Sequence, residues 1–532
     1  MLGILLFVLA PALGHVKCGI GTINHTIIEL PVNTTNERKL FTTNRESKYE
    51  PIRIYVYYGY LDVPEAIEDY LKNHIVRGAV EWYQNTIKTK RIKDKLVLSN
   101  YKGYDCHGIK VPEKHAEEGV EADFMVYLSV SDLNPSVAGW STICFLQEGR
   151  PALGRLHLEA RWLDQMSFED SLSTAIHELA HTLVFAPGLY NFWVKPDGQR
   201  YTSDEMFLIE NTRGITVYKL KTPKVKEKAE KNFGCSELGG VELESSGGSG
   251  TAGAHWDKRV MYGDFMVADS NMNDIVYSDI TMAMFEDSGW YQVDYSYTSK
   301  LLWGYKEGCS FFSEKCLSNG EPNFEEFCSD FSETTRCDYK HLHKGACNIM
   351  KFSSELPQEF RYFSEPTYGG ADQYLDYCPI IKQVKGGNCR GLELHETLLN
   401  PDYGEKACEN CRCIEGTYGK SKGDNWHAGC HEVKCEGNKP TIYIGESKVT
   451  CFSSGEEVEV PGFKGFVKCP KSDILCREVP CPNNCSGLGK CQDGVCICPD
   501  GTKGSDCSNL EFEPSSSCLL ELVWGIMLTL IL

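Results

Sequence analysis

The sequence predicts an α+β protein with a conventional packed core in its first 300 residues and disulfide-rich domains after it. Its 532 residues are 42% apolar and 24% charged, which is typical of a globular chain long enough for several cores. Strand-like runs at 52–58 and 124–130 flank a long helical pattern at about 64–90. Of the 26 cysteines, 22 follow residue 300, a density typical of disulfide-stapled domains in an oxidising compartment.

The acidic balance of the chain limits its partners. A formal net charge of −20 argues against nucleic acid and against an anionic bilayer surface, because both would repel the protein. The charge by itself assigns no function.

The N-terminus predicts entry into the secretory pathway. Residues 1–14, MLGILLFVLAPALG, form a short apolar run that ends in a small-x-small cleavage pattern, as a signal peptide does. Asn-x-Ser/Thr triplets at Asn24, Asn33 and Asn484 are candidate glycosylation sites and agree with secretion. The protein is therefore expected outside the cell or on its surface.

The C-terminus predicts a membrane attachment that is shorter than a spanning helix. Residues 518–532 are apolar except for Glu521, whereas a spanning helix needs ~20 residues. Small polar residues at Ser508 and Asn509, followed by a spacer and this tail, predict a glycolipid (GPI) anchor signal over 508–532. A short tail-anchoring helix and a purely secreted protein are the alternatives.

The clearest helix signal lies at residues 168–185. Ser167 precedes it as an N-cap, with Asp170 in the capping-box position three residues later. Just upstream, residues 154–158 (GRLHL) predict an edge strand able to pair with an extended peptide. One face of the helix is apolar at helical spacing and is expected to be buried: Leu172, Ala175, Ile176, Leu179, Ala180 and Leu183.

This helix carries the motif His-Glu-x-x-His. His177 and His181 lie one turn apart, so both imidazoles project from one side and can bind one ion, while Glu178 points to the adjoining edge. Zinc held by neutral imidazoles lowers the pKa of its bound water to ~7, and a nearby carboxylate can pass the water's proton to a leaving amine. The motif predicts a zinc hydrolase site with Glu178 as general acid/base. A chance motif on an amphipathic helix is the alternative.

A catalytic zinc needs a third protein ligand. The short form of the pattern would place it six residues past His181, where this chain has Pro187. Between His181 and residue 340 the sole histidine is His255, so a third imidazole from this part of the chain must be His255. If a carboxylate from Glu205 or Glu210 bound the metal in place of His255, the site would be that of a gluzincin, a zinc peptidase with glutamate as its third ligand.

Several sequence blocks in the same order resemble the leishmanolysin family of zinc metalloendopeptidases, surface metzincins whose third ligand is displaced by an inserted segment. The blocks are HELAH, GGSGTAGAHWDKR, YSDITMAMFEDSGWYQVDYS, DFMVYLSV, STICFLQEGRPALGRLHL, FGCSELGGVELE and LLWGYKEGCSFFSEKC, and the likeness covers about residues 50–480. The resemblance implies one zinc ion per chain on His177, His181 and His255, with Glu178 as the catalytic carboxylate. The resemblance also implies a metzincin-type domain that is split by an insertion, and it implies that the protein acts on protein or peptide substrates.

Met282 and Met284 could each form the methionine turn beneath the metal, and the resemblance favours Met282 because of its Thr-Met-Ala-x-Phe context. The family's helix usually ends at a glycine where this chain has Val184, and a β-branched residue tolerates positive φ poorly. Either the turn is displaced toward Pro187-Gly188, or the helix runs longer, or the site is distorted and inactive.

The chain is expected to divide into successive functional parts. A pro-segment at 15–49 precedes the N-terminal catalytic subdomain at 50–185. Residues 186–300 hold the insertion, the third ligand and the methionine turn, and 301–480 form a cysteine-rich domain for structure or partner contact. Residues 481–507 resemble an EGF-like module, expected to serve as a spacer or protein contact.

The EGF-like module has six cysteines, for which many pairings are possible. The resemblance implies the disulfides 481–491, 485–496 and 498–507. The six residues are Cys481, Cys485, Cys491, Cys496, Cys498 and Cys507.

Cys18 is the sole cysteine before residue 106. In latent metzincins a pro-segment cysteine can bind the open zinc position as a thiolate and exclude water, so Cys18 is the candidate latency ligand; a disulfide or a free thiol is the alternative. Together these features predict a secreted or cell-surface zinc metalloendopeptidase. A non-catalytic surface adhesion or interaction protein on the same scaffold is the second hypothesis.

Overall fold

The computed structural model describes most of the chain between residues 48 and 477. Mixed sheets and helices, joined by many disulfide bonds, confirm the predicted α+β class. Residues 17–18 and 28–29 and short stretches between 485 and 510 are also described. Within 48–477 the structure omits 93, 99–102, 104, 132–136, 247, 249–250, 270–274, 332–334, 391–398 and 422–424.

A mixed sheet organises the first part of the molecule. Its strands, in spatial order, are Lys17–Cys18, Val137–Gln147, Arg150–Glu159, Phe124–Ser131 and Ile54–Tyr57, and Ile28–Glu29 also pairs with Val137–Gln147. Val137–Gln147 runs antiparallel to Arg150–Glu159, and the other pairings are parallel. We call Val137–Gln147 the edge strand, because among the described residues only the two short N-terminal strands lie beyond it. The prediction of an edge strand at 154–158 is wrong, because Arg150–Glu159 has a partner on both sides.

A helix at Phe168–Leu183, here called the histidine helix, packs against the edge strand and its neighbour. Ser167 is its N-cap, and the Ser167 hydroxyl accepts a hydrogen bond from the Asp170 N–H at 3.2 Å. The predicted helix is confirmed, two residues shorter than expected. Every member of its predicted apolar face is fully buried in the main core, and each of its leucine and isoleucine side chains contributes on the order of 1.5–3 kcal/mol of transfer free energy.

The predicted helical run at 64–90 is only partly helical. It consists of Glu65–Tyr70, a π-helical turn at Leu71–Ile75, and Val76–Thr86. Its last residues form the strand Ile87–Lys90, which lies between Tyr49–Pro51 and Tyr291–Val293. Alternating buried and exposed side chains in Ile87–Lys90 show why the period changes from that of a helix to that of a strand. Other elements before residue 168 are Asp105–Cys106, Ile109–Lys110, Glu113–Glu117 and Ala160–Gln165.

The region from 186 to 300 adds a small sheet and several short helices. The strands are Phe207–Thr212, Ile215–Leu220 and Val241–Leu243. The helices are Pro187–Tyr190, Ser203–Met206, Pro223–Phe233, Lys258–Met261, Asp279–Asp287 and the 3-10 turn Tyr295–Tyr297. Asp279–Asp287 is here called the methionine helix.

The region after residue 300 is mostly β-structure held by disulfides. Its largest sheet has the order Ser447–Thr450, Lys439–Ile444, His427–Glu436, Cys411–Gly416, Phe466–Lys468 and Glu457–Glu459. Smaller sheets comprise Leu317–Ser318, Glu321–Pro322, Arg336–Cys337, His343–Cys347, Ile381–Asn388, Ile349–Lys351 and Tyr368–Gly370. Its helical turns are Ser310–Ser313, Gln358–Phe360, Gln373–Leu375, Pro401–Tyr403 and Ser472–Leu475. Beyond these lie the strands Lys490–Gln492, Val495–Ile497, Thr502–Lys503 and Asn509–Leu510.

Several predicted terminal features fall outside the described residues. They include the signal peptide, the glycosylation candidates Asn24, Asn33 and Asn484, and the anchor signal at 508–532 except for Asn509 and Leu510. Among the helices that the structure does describe, none combines the length and the apolarity needed to cross a bilayer.

Buried ion pairs connect the parts of the molecule. Lys258 Nζ lies 2.7 Å from Asp372 Oδ2, which joins the chain just after His255 to the cysteine-rich region. Arg213 binds Glu242 through two hydrogen bonds, of 3.0 and 2.7 Å, and both side chains are buried. An unpaired charge at this depth would be costly.

Replacing Glu242 with glutamine is expected to lower the free energy of unfolding by about 3–5 kcal/mol, because the buried Arg213 loses the carboxylate that binds it through two hydrogen bonds and keeps only the more distant Asp376 ion pair, at 3.7 Å. Urea unfolding followed by tryptophan fluorescence measures the loss. Glu227→Gln is the matched control, since Glu227 and Lys224 form an exposed pair whose loss should cost no more than about 1 kcal/mol. Equal losses in the two variants would contradict the prediction.

Candidate active site

The histidine helix brings three of the predicted site residues to one buried surface. His177, Glu178 and His181 are all buried. Residues four apart on a helix lie on the same side, and accordingly the Nε2 atoms of His177 and His181 are 3.0 Å apart.

The loop after Val241–Leu243 carries His255 to the same point. The ring centre of His255 lies 5.3 Å from that of His177 and 4.8 Å from that of His181, and the His255 side chain is fully buried. Gly253 has a φ of +74°, which favours glycine, and this turn lets the Glu244 N–H donate to the His255 carbonyl at 2.9 Å.

The three imidazoles form a compact donor set. One ligand atom from each of His177, His181 and His255 lies within 4.8 Å of the other two. In the described part of the chain, no other trio of His, Cys, Asp or Glu side chains is close enough to hold a metal ion.

Backbone carbonyls fix the orientation of all three rings. Since a carbonyl oxygen can only accept, each Nδ1 carries the hydrogen and each Nε2 presents a lone pair to the centre. The three contacts are His177 Nδ1 to the Phe265 oxygen at 2.5 Å, His181 Nδ1 to the Phe185 oxygen at 2.7 Å, and His255 Nδ1 to the Thr251 oxygen at 3.2 Å.

The electrostatics of the set fit a bound cation. Burial lowers the pKa of His177 to about 4 and that of His255 to about 3, so both rings are neutral ligands at pH 7. Two Nε2 lone pairs 3.0 Å apart repel each other unless a cation lies between them. Zinc–nitrogen bonds of about 2.0–2.1 Å would separate two tetrahedral ligands by roughly 3.3 Å, and three histidines with one open position are a known catalytic zinc set.

Glu178 lies between the helix and the edge strand. If Gly139 of the edge strand carried a Cβ, that atom would lie 3.5 Å from the Cγ of Glu178 and 2.9 Å from the His157 carbonyl oxygen. A side chain at position 139 would therefore crowd the strand against its neighbours. Ser141 of the edge strand donates its hydroxyl to the Glu178 carbonyl at 2.7 Å, so the strand and the carboxylate-bearing turn are directly joined.

The helix ends without the glycine that the resemblance suggested. Val184 follows the last helical residue with φ −154° and ψ −42°, a negative φ that needs no glycine. The turn therefore occurs at Val184 itself, and it directs the Phe185 carbonyl onto His181. Ala186 is extended before Pro187, as a residue preceding proline should be.

The methionine helix starts beside the His255 segment. Met282 and Met284 are both fully buried, so burial does not discriminate between them, and Met282 stays the residue favoured by resemblance. Thr281 accepts a hydrogen bond from the Trp256 indole N–H at 2.7 Å. This bond joins the helix to the residue that follows His255.

The two carboxylates of the gluzincin alternative have other partners. Glu205 caps its own short helix at Thr202 and pairs with Lys195 at 2.8 Å. Glu210 pairs with Lys219 at 2.7 Å. Neither belongs to the trio that could hold a metal ion.

The remaining predicted residues are placed only in part. The Cys18 backbone pairs with Gly139 of the edge strand. In the EGF-like segment Cys498 is bonded to Cys507, with an S–S distance of 2.10 Å, and Cys485 is also disulfide-bonded. Backbone pairing sets Cys491 opposite Cys496 in a hairpin, whereas Cys481 lies outside the described residues.

Sequence reasoning missed the groups that orient the three histidines. The orienting carbonyls belong to Phe265, Phe185 and Thr251, and a side-chain motif carries no signal for a backbone oxygen. Asp264, which precedes one of these carbonyls and is buried, had a weaker signal: it is an acidic residue in an otherwise apolar run, MYGDFMVA.

Comparison with known proteins agrees with this arrangement. The family model described as Peptidase_M8: Leishmanolysin matches residues 63–484. Leishmanolysin of Leishmania major is 28% identical over 431 residues, covering 77% of this chain and 69% of that protein. The leishmanolysin homolog of Crithidia fasciculata is 26% identical over 447 residues, covering 82% of this chain and 64% of the homolog. The leishmanolysin-like peptidase of Caenorhabditis briggsae is 26% identical over 565 residues, covering 81% of this chain and 84% of the peptidase. Because the family model matches well over half of this chain, the chain belongs to the leishmanolysin family of zinc metallopeptidases.

Proposed function

We propose that the protein is a secreted or cell-surface endopeptidase that hydrolyses peptide bonds in proteins, with zinc bound by His177, His181 and His255 and with Glu178 as general acid/base. The observation that carries the proposal is the convergence of three carbonyl-oriented imidazoles next to a buried carboxylate. Zinc in such a set supplies a polarised substrate carbonyl and a water of lowered pKa.

The protein's own residues then have defined tasks. The Glu178 carboxylate would accept the proton of the attacking water and deliver it to the nitrogen of the leaving amine. Its position on a helix that is bonded to the edge strand through Ser141 keeps it at a fixed distance from a substrate held on that strand.

The edge strand is the surface on which we place the substrate. An extended peptide can add to an exposed strand by main-chain hydrogen bonds, and Val137–Gln147 is the outermost long strand of the sheet. Gly139 of this strand lies against Glu178, so a peptide paired there would pass close to the carboxylate.

The N-terminal segment would compete for the same edge. Lys17–Cys18 and Ile28–Glu29 pair in parallel with the edge strand, next to Val137, Gly139 and Phe145. A chain segment that fills these main-chain bonds prevents a substrate from forming them. We therefore retain the proposal that residues 15–49 are an inhibitory pro-segment, with Cys18 as its latency ligand.

Replacing Cys18 with alanine is expected to raise the activity of the intact precursor toward that of the processed enzyme, because the thiolate can no longer occupy the open zinc position. Casein hydrolysis by precursor and processed forms measures the gain. A Cys18→Ala precursor no more active than the unaltered precursor would contradict the role of the thiol, and activation by cleavage alone would then assign latency to strand pairing.

The proposed location rests mainly on cysteine chemistry. Ten disulfides have both partners within the described residues, and such density is typical of proteins folded in an oxidising compartment. A lipid anchor or short tail at 508–532 and contacts through the cysteine-rich and EGF-like regions remain part of the proposal.

Two measurements on the same protein, zinc content and substrate cleavage, test the function together. Purified protein, with the pro-segment removed at several points, is assayed for zinc content and for cleavage of casein or gelatin. One zinc per chain with turnover supports the endopeptidase. Bound zinc without turnover in every processed form would overturn it in favour of an adhesion or interaction protein on the same scaffold.

A further inference from the structure

Asp264 is a buried carboxylate that does not belong to the predicted zinc ligands. Its side chain accepts hydrogen bonds from three donors: the Ser278 hydroxyl donates to Oδ2, the Thr281 hydroxyl lies 2.8 Å from both oxygens and shares its one hydrogen between them, and the Met266 N–H donates to Oδ1 at 2.8 Å. Burial raises the pKa of Asp264 to about 7, and the hydrogen bonds from these three neutral donors oppose that rise because they stabilise the ionised carboxylate.

The first connection of Asp264 leads to His177. Phe265 follows Asp264 directly, and its carbonyl accepts the His177 Nδ1 hydrogen at 2.5 Å. The bond from the Met266 N–H to Asp264 closes a tight turn around Phe265. The direction of the Phe265 carbonyl therefore depends on the carboxylate that holds the turn.

The second connection leads to His255. Thr281, which donates to Asp264, accepts the Trp256 indole N–H at 2.7 Å. The Trp256 main-chain N–H donates to the Met266 carbonyl at 3.0 Å. The residue after His255 is thus held at both its side chain and its backbone by groups that Asp264 organises.

A third connection leads to the methionine helix. Ser278 is the N-cap of that helix and accepts from the Thr281 N–H at 3.1 Å. The same Ser278 hydroxyl donates to Asp264. The start of the helix that carries Met282 is consequently fixed to the turn that supports His177.

We propose that Asp264 is a positioning residue of the zinc site, which sets the geometry of His177 through the Phe265 carbonyl and that of His255 through Thr281 and Trp256. The inference rests on the proposed zinc-peptidase function. Groups that orient metal ligands typically change metal affinity or activity by about 10–100-fold when they are lost.

The test compares zinc affinity and ligand geometry in the full chain. Asp264→Asn removes an acceptor and the charge, and Thr281→Val removes the hydroxyl that joins Asp264 to Trp256. Competition with a chromogenic chelator should show zinc affinity lowered by about 10–100-fold in both variants. The visible absorption spectrum of the cobalt-substituted protein, which reports ligand geometry, should change as well.

Asp287→Asn is the matched control for loss of a buried carboxylate. Asp287 lies at the other end of the methionine helix and accepts from the main-chain N–H groups of Lys224 and Val225, with no link to a histidine segment. The control should retain the zinc affinity and the cobalt spectrum of the unaltered protein, even if its thermal stability falls as far as that of Asp264→Asn.

Three results would overturn the inference. The first is unaltered zinc affinity and cobalt spectrum in Asp264→Asn, or in Thr281→Val if Asp264→Asn does not fold. The second is an equal loss of affinity in Asp287→Asn. If the unaltered protein binds zinc and cleaves casein, either result rejects the role of Asp264 and leaves the peptidase function intact. The third, an unaltered protein that binds no zinc, rejects both together.

Discussion

Replacing His255 with alanine is expected to abolish stoichiometric zinc binding and, with it, peptide hydrolysis. The variant retains two imidazoles on the histidine helix but lacks the third nitrogen that lies within 4.8 Å of both. The loss in zinc affinity should exceed the ~100-fold that removal of an orienting contact costs, because a ligand itself is removed. Zinc content after dialysis, measured beside casein hydrolysis, gives the result.

The control variants for this experiment are Glu205→Gln and Glu210→Gln. Both carboxylates are engaged at the surface with lysine partners, so their loss should leave zinc content and turnover unchanged. A protein that kept its zinc without His255 and lost it without Glu205 or Glu210 would be a gluzincin. That outcome would require a rearrangement of the loop that now places His255 next to both of the other rings.

The grouping of the three histidines was predictable because two independent constraints narrow the choice of candidate ligands. A helical period places His177 and His181 on one side of a helix, and a count of histidines leaves only His255 between residue 181 and residue 340. Neither constraint contains a distance. The convergence of the three imidazoles depends on the turn at Gly253 and on the pairing of Leu243 with Trp256. Both are tertiary features.

The position of the edge strand could not be predicted in the same way. Residues 150–159 and 137–147 are both largely buried strands, so the local pattern is similar in the two. Which of them lies outermost is decided by hydrogen bonding to Phe124–Ser131, in which Met125 pairs with Leu153, 28 positions later in the chain. Such long-range pairing is not contained in hydrophobic periodicity.

The end of the histidine helix shows a different limit of sequence reasoning. The glycine expected by resemblance would serve a positive φ, yet Val184 turns the chain at φ −154°. The same function, delivery of the Phe185 carbonyl to His181, is thus achieved with a backbone conformation open to β-branched residues. A departure from a motif at one position does not by itself predict a distorted site.

Replacing Glu178 with glutamine is expected to lower the rate of casein hydrolysis by about 10²–10⁴-fold, the range typical of a lost general acid/base. Zinc content should be unchanged, because Glu178 does not belong to the trio of candidate ligands. The amide keeps the size of the side chain next to Gly139 but cannot accept the proton of the water. Initial rates at equal zinc loading measure the effect.

Glu169→Gln provides the matched control, since Glu169 lies in the first turn of the same helix and outside the donor set. It should hydrolyse casein at the rate of the unaltered protein. If Glu178→Gln also retained full activity with bound zinc, another group would have to move the proton, and the Glu178 carboxylate would be a structural partner of the edge strand. If both variants lost activity together, the helix and not the carboxylate would be the cause. Loss in Glu178→Gln alone, with zinc retained, is the result that separates proton transfer from metal binding and from folding.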